Sequence, residues 1–580
     1  MLLLVAFVAA AEPRLSSIGV HDARLAQLLD ESWDATMAAS PTWATQLGDH
    51  RFDDRLDDNS PRQRQRWKKA SEAWLARAGR LTGLDTADAL HRDVFVRQLR
   101  DGLAANEACD FSVWSLSARA NALVFVADLG REQPLANRRD VDAFVSRFRA
   151  APHYVTGDVA NLRTGLRDGK VANRASVQKV LDMVEAELAA PPETQALLAL
   201  TREPHAALAG ADREALVRDV GAIVRGPLRS ALLEYRGFLR DELLPVARGA
   251  GREGVSFVPN GATCYAARAQ QETSTARTPQ DLHATGLAEL ERIHAEMVRL
   301  GEGTLGTKTL PELLERLRSD PALHFKTREE VESTAAHALA RAKAAMPRAF
   351  GRLPLAECKV QAIPDHEAPY TTIAYYWPAA TDQSTPGIYF VNSYQPETRT
   401  RFDAEVLAWH EAIPGHHLQI ALANEAGGLP AFRRYASFTV FVEGWALYSE
   451  RLAEELGLYS DDLQRIGMLG FDTWRAARLV VDTGIHEEGW SREEAEAFLL
   501  ENTPLAKNNI VNEVDRYITW PGQALGYKTG QLELLRIRKE AEAALGERFD
   551  LRGFHDVVLG GGALPIDLVE ARVRAWAAGR

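Results

Sequence analysis

From about residue 20 to residue 251, apolar positions recur at threes and fours among charges, the spacing of helices that bury one face. This spacing predicts helices over 21–40, 59–78, 90–105, 140–149 and 176–188. One or two more are expected over 212–243, with Pro227 at a helix start or kink. Pro152, Pro191-Pro192 and Gly249-Ala250-Gly251 read as breaks between them, and no fixed-period repeat is evident. Residues 254–267, with Asn260-Gly261 among them, have loop chemistry and are expected to line a cleft. Helical spacing returns over 278–299, 310–317 and 327–349. Then β-branched and aromatic residues gather at 360–363, 371–377 and 387–392 around a turn-rich 378–386, which predicts a small antiparallel sheet. After Asp403, an acceptable N-cap, helices are expected through the segment of Glu443 and over 461–486, 493–500, 523–545 and 567–578. The fold class is therefore mainly α: a large helical body around a cleft, with a small antiparallel β-sheet beside one of its helices. Three regions are expected, a helical scaffold over 13–255, a mixed segment over 256–400 and a helical region over 401–580.

Composition adds limits rather than a function. Of 580 residues, 46% are hydrophobic and 26% charged, ordinary for a globular chain. A net charge of −12 with no basic face argues against a nucleic-acid partner. Three widely spaced cysteines, Cys109, Cys264 and Cys358, make neither a metal-binding pair nor a disulfide framework, and are expected as small buried apolar residues, with a single bridge as the alternative. Residues 1–12 are apolar with small residues at Ala9–Ala11, like the later part of a secretory signal, so export to a bacterial periplasm or beyond is expected, with a cytoplasmic protein carrying an apolar N-terminal tail as the alternative. That stretch is too short to span a bilayer, and no later run supports stable membrane insertion.

Chemistry concentrates in Trp409-His410-Glu411-Ala412-Ile413-Pro414-Gly415-His416-His417. A zinc hydrolase needs neutral imidazoles to hold the ion and a carboxylate to accept a proton from the attacking water. The usual helical spacing places the two histidines at i and i+4, but here i+4 from His410 is Pro414. On an undistorted helix, i+6 points about 120° away, and i+7 lies roughly 10.5 Å along the axis. Pro414 removes a helix hydrogen bond and clashes with the preceding turn, and Gly415 permits backbone angles other residues avoid. A distorted turn there would return His416 or His417 to the side of His410, and helix geometry does not choose between them. A third ligand is sought in Phe438-Thr439-Val440-Phe441-Val442-Glu443-Gly444-Trp445, where Glu443 interrupts an apolar run. A lone buried carboxylate needs compensation, which a divalent cation supplies; an arginine is the alternative.

His410, Glu411, Pro414, Gly415, His416 and Gln419 match the motif His-Glu-x-x-Pro-Gly-His-x-x-Gln, with Glu443-Gly444-Trp445-Ala446 downstream. Together with Arg475 to His486, Pro521 to Lys528 and Pro386 to Asn392, these residues resemble the family catalogued as domain of unknown function 885. That family is grouped with gluzincin-type zinc metallopeptidases. The resemblance implies Zn²⁺ held by His410, His416 and Glu443 beside a gluzincin-like small sheet, with His416 favoured over His417. It implies Glu411 as general base on a peptide substrate, and Tyr389 to Asn392 as an edge strand holding that substrate by backbone pairing. Tyr527, first, then His486, Arg478 and Arg516 are the candidates for steadying the developing oxyanion. An arginine facing the cleft would suit a substrate C-terminal carboxylate. The expected function is a zinc metallopeptidase; a metal-dependent amidase or esterase and a helical binding protein without turnover are the alternatives.

Overall fold

Spacing at threes and fours becomes helix along most of the chain in the computed structural model, which describes residues 14–580 apart from 132, 366, 367, 369–371 and 380–384. The apolar stretch at residues 1–12 lies outside the described residues. Ala23–Ala39 starts on Asp22, whose carboxylate accepts from the backbone N–H groups of Arg24 and Leu25. Pro152, expected as a break, instead sits in the first turn of the helix Ala151–Arg167. An N–H is not needed there, so the ring is tolerated. Pro227 does mark a kink: Gly226, at φ −104° and ψ −105°, separates Gly210–Ile223 from Arg229–Gly237. These N-terminal helices share a core of their own drawn from Leu116 to Ala247.

The site is built by elements that follow. They are α1 (Thr86–Cys109), α2 (Gly261–Thr273), α3 (Pro279–Leu305) and α4 (Arg328–Ala345), then β1 (Cys358–Ala362), β2 (Ala374–Trp377) and β3 (Gly387–Val391). Next come α5 (Ala404–Glu411), α6 (His416–Glu425), α7 (Thr439–Glu455) and α8 (Asp462–Thr483). The last two are α9 (Lys507–Thr519) and α10 (Leu525–Leu545). Two departures concern loops. Much of 254–267 is the helix α2 rather than a cleft lining, and α9 was not signalled by spacing at all. The sheet is also mixed rather than antiparallel: its order is β1-β3-β2, with β3 parallel to β1 and antiparallel to β2.

α5 lies between two cores. Val406 belongs to one, with Phe402, Ile466 and Met468, while Ala408, Trp409 and Ala412 belong to the other, with Phe441, Trp445 and Leu534. Both cores draw residues from either side of position 400. α7 and α10 meet backbone to backbone. A Cβ on Gly444 would lie 2.5 Å from the Gly530 Cα, and one on Gly530 would lie 1.9 Å from the Val440 carbonyl oxygen. Buried charges tie the same layer together. Lys528 of α10 reaches Asp472 of α8 at 2.6 Å and Glu289 of α3 at 2.9 Å, and Arg451 of α7 reaches Asp472 at 2.7 Å. Pairs this deep contribute little net stability when intact but cost several kcal/mol when one partner is removed, so they fix the helices' relative placement.

Cys109 and Cys264 take the alternative of a single bridge rather than the favoured reading of unpaired residues, forming a disulfide that joins α1 to α2 across 155 residues of sequence. Cys358 is the buried small residue expected, and burial pushes its thiol up to about 12. Among the described residues no helix is long and apolar enough to cross a membrane.

Two outcomes follow from this packing. Gly444→Ala should cost about 1–3 kcal/mol in chemical denaturation, because a methyl group there overpacks two helix backbones; unchanged stability would mean that α7 and α10 do not meet as described. Alkylation of the denatured, unreduced protein should label one cysteine, and reduction first should raise that to three.

Candidate metal centre

The helix carrying His410 ends at Glu411, and the next begins at His416. Between them Ala412 and Gly415 leave helical geometry, at φ −103°, ψ −102° and φ −77°, ψ −127°. Gly415 is required at this break: a Cβ would fall 1.9 Å from the His410 carbonyl oxygen and 2.5 Å from that of Trp409. The Trp445 indole N–H, 2.9 Å from the Pro414 carbonyl oxygen, fastens the break to α7. The expected distorted turn is thus a full break between two short helices. Asp403 stands at the N-cap position expected of it, but its side chain makes no cap bond and accepts from the Thr400 hydroxyl.

This break turns the His416 ring to face His410, with centroids 4.8 Å apart and planes at 85°. Both Nε2 atoms point at one oxygen of Glu443, 3.6 Å from His410 and 3.7 Å from His416. The three ligand atoms all lie within 4.8 Å of one another. A tetrahedral zinc with bonds of about 2.0–2.2 Å needs donors about 3.4 Å apart, so this set fits with small adjustments. His417 goes elsewhere: its Nδ1 lies 3.0 Å from the Tyr376 hydroxyl and its Nε2 3.1 Å from the Ala356 carbonyl oxygen.

The imidazole of His410 is oriented from behind. Its Nδ1–H donates to Glu450 at 2.7 Å, which leaves Nε2 to face the cluster. Glu450, 1% exposed, lies two turns after Glu443 on α7 and so shares its face. A carboxylate behind a ligating imidazole fixes its tautomer and raises its basicity. Charge is concentrated here. Burial pushes His410 down, but Glu443 and Glu450 outweigh it and hold the ring up at about 9. Burial likewise pushes Glu443 up, yet His410 and then His416 bring it down to about 2. His416 is lowered by burial, and its Nδ1 has no hydrogen-bond partner among the described residues. Glu443 has no arginine within 4 Å among them, so the imidazoles are its compensation. The arrangement is one that gains from a positive charge at its centre.

These three side chains open on a cavity of about 360 Å³, and Glu411 lines it too. A larger cavity of about 960 Å³, walled by Trp33, Trp43, Trp67 and Phe432, shares none of these residues.

Residues 41–573 match the profile of a family described as "Bacterial protein of unknown function (DUF885)". The chain belongs to this family. A crystal structure described as a "putative lipoprotein" from Colwellia psychrerythraea is 26% identical to this DUF885 protein, with a TM-score of 0.89, over 96% of this chain and 100% of that one. A second, a "putative lipoprotein of unknown function" from Shewanella oneidensis, is 17% identical with a TM-score of 0.74, over 94% of this chain and 99% of that one, and shares the fold. No curated protein matches the chain.

The DUF885 cavity is also lined by Tyr527, Arg478 and Arg516, three of the four residues expected to face an oxyanion. Tyr527 accepts at 2.9 Å from Arg516, which leaves its own O–H proton for a group in the cavity. Arg478 lies 2.9 Å and Arg516 3.7 Å from Glu513, so both are ion-paired. The remaining expectations need correction. His486 is fully buried away from the cavity; its Nδ1 accepts from the Val255 N–H at 3.0 Å and its Nε2–H donates to the Tyr517 carbonyl at 2.9 Å. It therefore anchors α2's leading turn rather than a substrate. Tyr389 and Asn392 belong to the central strand and its end, not to an edge. Tyr389 is 1% exposed, and the Asn392 amide donates to the carbonyls of Ala368 and Thr372. The edge strand lining the cavity is β2, through Ala374, Tyr375 and Tyr376. Spacing had missed Glu450, whose only signal was its seven-residue offset from Glu443, and Arg475, which also lines the cavity.

Proposed function

We propose that this DUF885 protein is a zinc-dependent peptidase of gluzincin type, acting outside the cytoplasm. The observation that carries this reading is the convergence of His410, His416 and Glu443 within 4.8 Å, with His410 held by Glu450 at 2.7 Å. Two neutral imidazoles and one carboxylate, with an adjacent open cavity, are the donor set of a catalytic rather than a structural zinc site. When bound, the ion would acidify a water and polarise a carbonyl.

The chain's own residues supply the rest. Glu411 follows the first ligand and lines the same cavity, placed to take a proton from the attacking water and deliver it to the leaving nitrogen. Tyr527, with its O–H proton uncommitted, faces the side on which oxyanion charge would grow. Among the described residues β2 is an outer strand of the sheet and lines the cavity, the position from which a strand can hold an extended peptide, the role first expected of Tyr389 to Asn392. That edge favours a peptide over a compact amide or ester. The disulfide between Cys109 and Cys264 suits an oxidising compartment, as do relatives described as lipoproteins.

Glu411→Gln should retain one equivalent of zinc and abolish cleavage of a mixed peptide library, read by mass spectrometry with and without chelator. Loss of zinc in that variant, or cleavage that survives it, would remove Glu411 as the base. In zinc titrations of chelator-treated protein, His416→Ala should lose far more affinity than His417→Ala. Glu450→Gln should lose about 10–100-fold through the orientation of His410 alone. Equal effects at 416 and 417 would overturn the ligand set.

A further inference from the structure

The cavity wall holds a guanidinium that, among the described residues, feels Glu450 and Glu443 only at a distance and forms no ion pair within 4 Å. Arg475 lies one turn before Arg478 on α8, and its side chain lines the cavity that Glu411 and Glu443 enter. It is 5% exposed, and both Nε and Nη1 lack any hydrogen-bond partner among the described residues. No carboxylate there lies within 4 Å of it, whereas Arg478 and Arg516 share Glu513. What Arg475 has instead is aromatic support: its guanidinium sits 4.4 Å from the Phe471 ring centroid and 4.2 Å from that of Trp474. Stacking holds the planar group in place but satisfies none of its N–H donors. Nη1 of Arg478 is also buried without a partner.

An unpaired guanidinium buried to this degree costs stability, so its retention in a cavity wall calls for a ligand that repays it. Arg478 and Arg516 share Glu513, whereas Arg475 has no carboxylate within 4 Å among the described residues, so this wall carries three guanidinium groups against one paired carboxylate. Such a wall matches a planar anion that can take two parallel N–H donors, which a carboxylate does.

We infer that Arg475, with Arg478 beside it, binds the free C-terminal carboxylate of the substrate, which makes the protein a carboxypeptidase that works from the chain end. This rests on the peptidase reading above and narrows it. The reaction is hydrolysis. The water oxygen bonds to the carbonyl carbon as the C–N bond breaks. Both water protons end on the departing nitrogen, the first carried by Glu411, giving a carboxylate and an ammonium. No co-reactant other than water is needed. The peptide end anchored on Arg475 is the fragment that leaves as the new amine, so bonds remote from the C-terminus are not presented to Glu411. Arg475 is then a binding residue whose loss discriminates between substrate ends.

The test is calorimetric binding of an N-acetylated tripeptide as its free acid and as its C-terminal amide, using the full chain carrying Glu411→Gln, with chelator present. The acid should bind about 10–100-fold more tightly than the amide. Adding Arg475→Met should erase that preference while leaving the melting temperature equal or higher, as expected when an unsatisfied charge is replaced by an apolar side chain. Arg475→Lys, which keeps charge without the planar fork, should restore part of the preference and serves if the Met variant does not fold. Equal binding of acid and amide in the parent, or a preference that survives both substitutions, would overturn the proposal. Zinc-loaded protein with Glu411 intact separates this inference from the one beneath it. A retained preference for the acid with no cleavage of any peptide removes the peptidase reading and leaves the carboxylate site. Cleavage of amidated peptides at internal bonds, as fast as of free acids, keeps the peptidase and removes the carboxylate anchor.

Discussion

Glu443 is a carboxylate set into the apolar face of a helix, and its burial has to be answered by positive charge. The answer is two imidazoles brought from either side of a broken helix, at 3.6 and 3.7 Å from the same oxygen. Each other feature of the region serves that approach. Gly415 lets the chain pass so close to the His410 carbonyl that no side chain fits, and Trp445 ties the turn to the helix that carries Glu443. Gly444 and Gly530 let α7 and α10 come into backbone contact, which fixes the depth at which Glu443 sits. The Lys528–Asp472–Arg451 charges lock α7, α8 and α10 in one layer, with α8 carrying the arginine wall.

The placement of the charges has a chemical consequence. Against burial, Glu443 and Glu450 hold the His410 ring up at about 9, whereas burial lowers His416. His410 and His416 would hold a divalent ion through Nε2, and its charge would answer the same two carboxylates. Glu450 does not need to move for this, since it already holds Nδ1–H and leaves Nε2 directed at the centre. The three candidate ligand atoms therefore converge on the side away from Glu450, where the Glu443 side chain is 22% exposed and lines the cavity.

Helices were legible in the chain where burial is one-sided, because an amphipathic stripe repeats with the turn. They were less legible at α9 and over 151–167, where the neighbouring prolines Pro521 and Pro152 read as loop signals although one follows a helix and the other opens one. The metal candidates were legible because histidines flanking Pro-Gly, and a glutamate inside an apolar run, are each costly without a purpose. The choice of His416 over His417 came from family resemblance, and the structure brings His416 to Glu443 while His417 pairs with Tyr376. Strand order was not legible. Three short aromatic runs look alike in a sequence, and only the crossover from β1 to β3 puts Tyr389 at the centre and β2 at the edge. The disulfide was hidden for a similar reason: a separation of 155 residues leaves no local trace.

His486 and Arg475 show how a motif can mislead and still be informative. Both lie in the same family-matching stretch, and a histidine attracts attention as a catalytic group more readily than one arginine among 68 basic residues. Yet His486 has both ring nitrogens committed to backbone groups, and burial holds it down at about 3, so it is a neutral structural residue. Arg475 has two buried donors, Nε and Nη1, without a partner among the described residues. What separates a structural polar group from a functional one in this molecule is unmet hydrogen-bonding capacity facing a cavity, and that quantity appears only once the chain has folded. By the same measure the acidic and basic walls are complementary halves: one gains from a cation and the other from an anion. A peptide end that presents a carbonyl to the first and a carboxylate to the second would satisfy both at once.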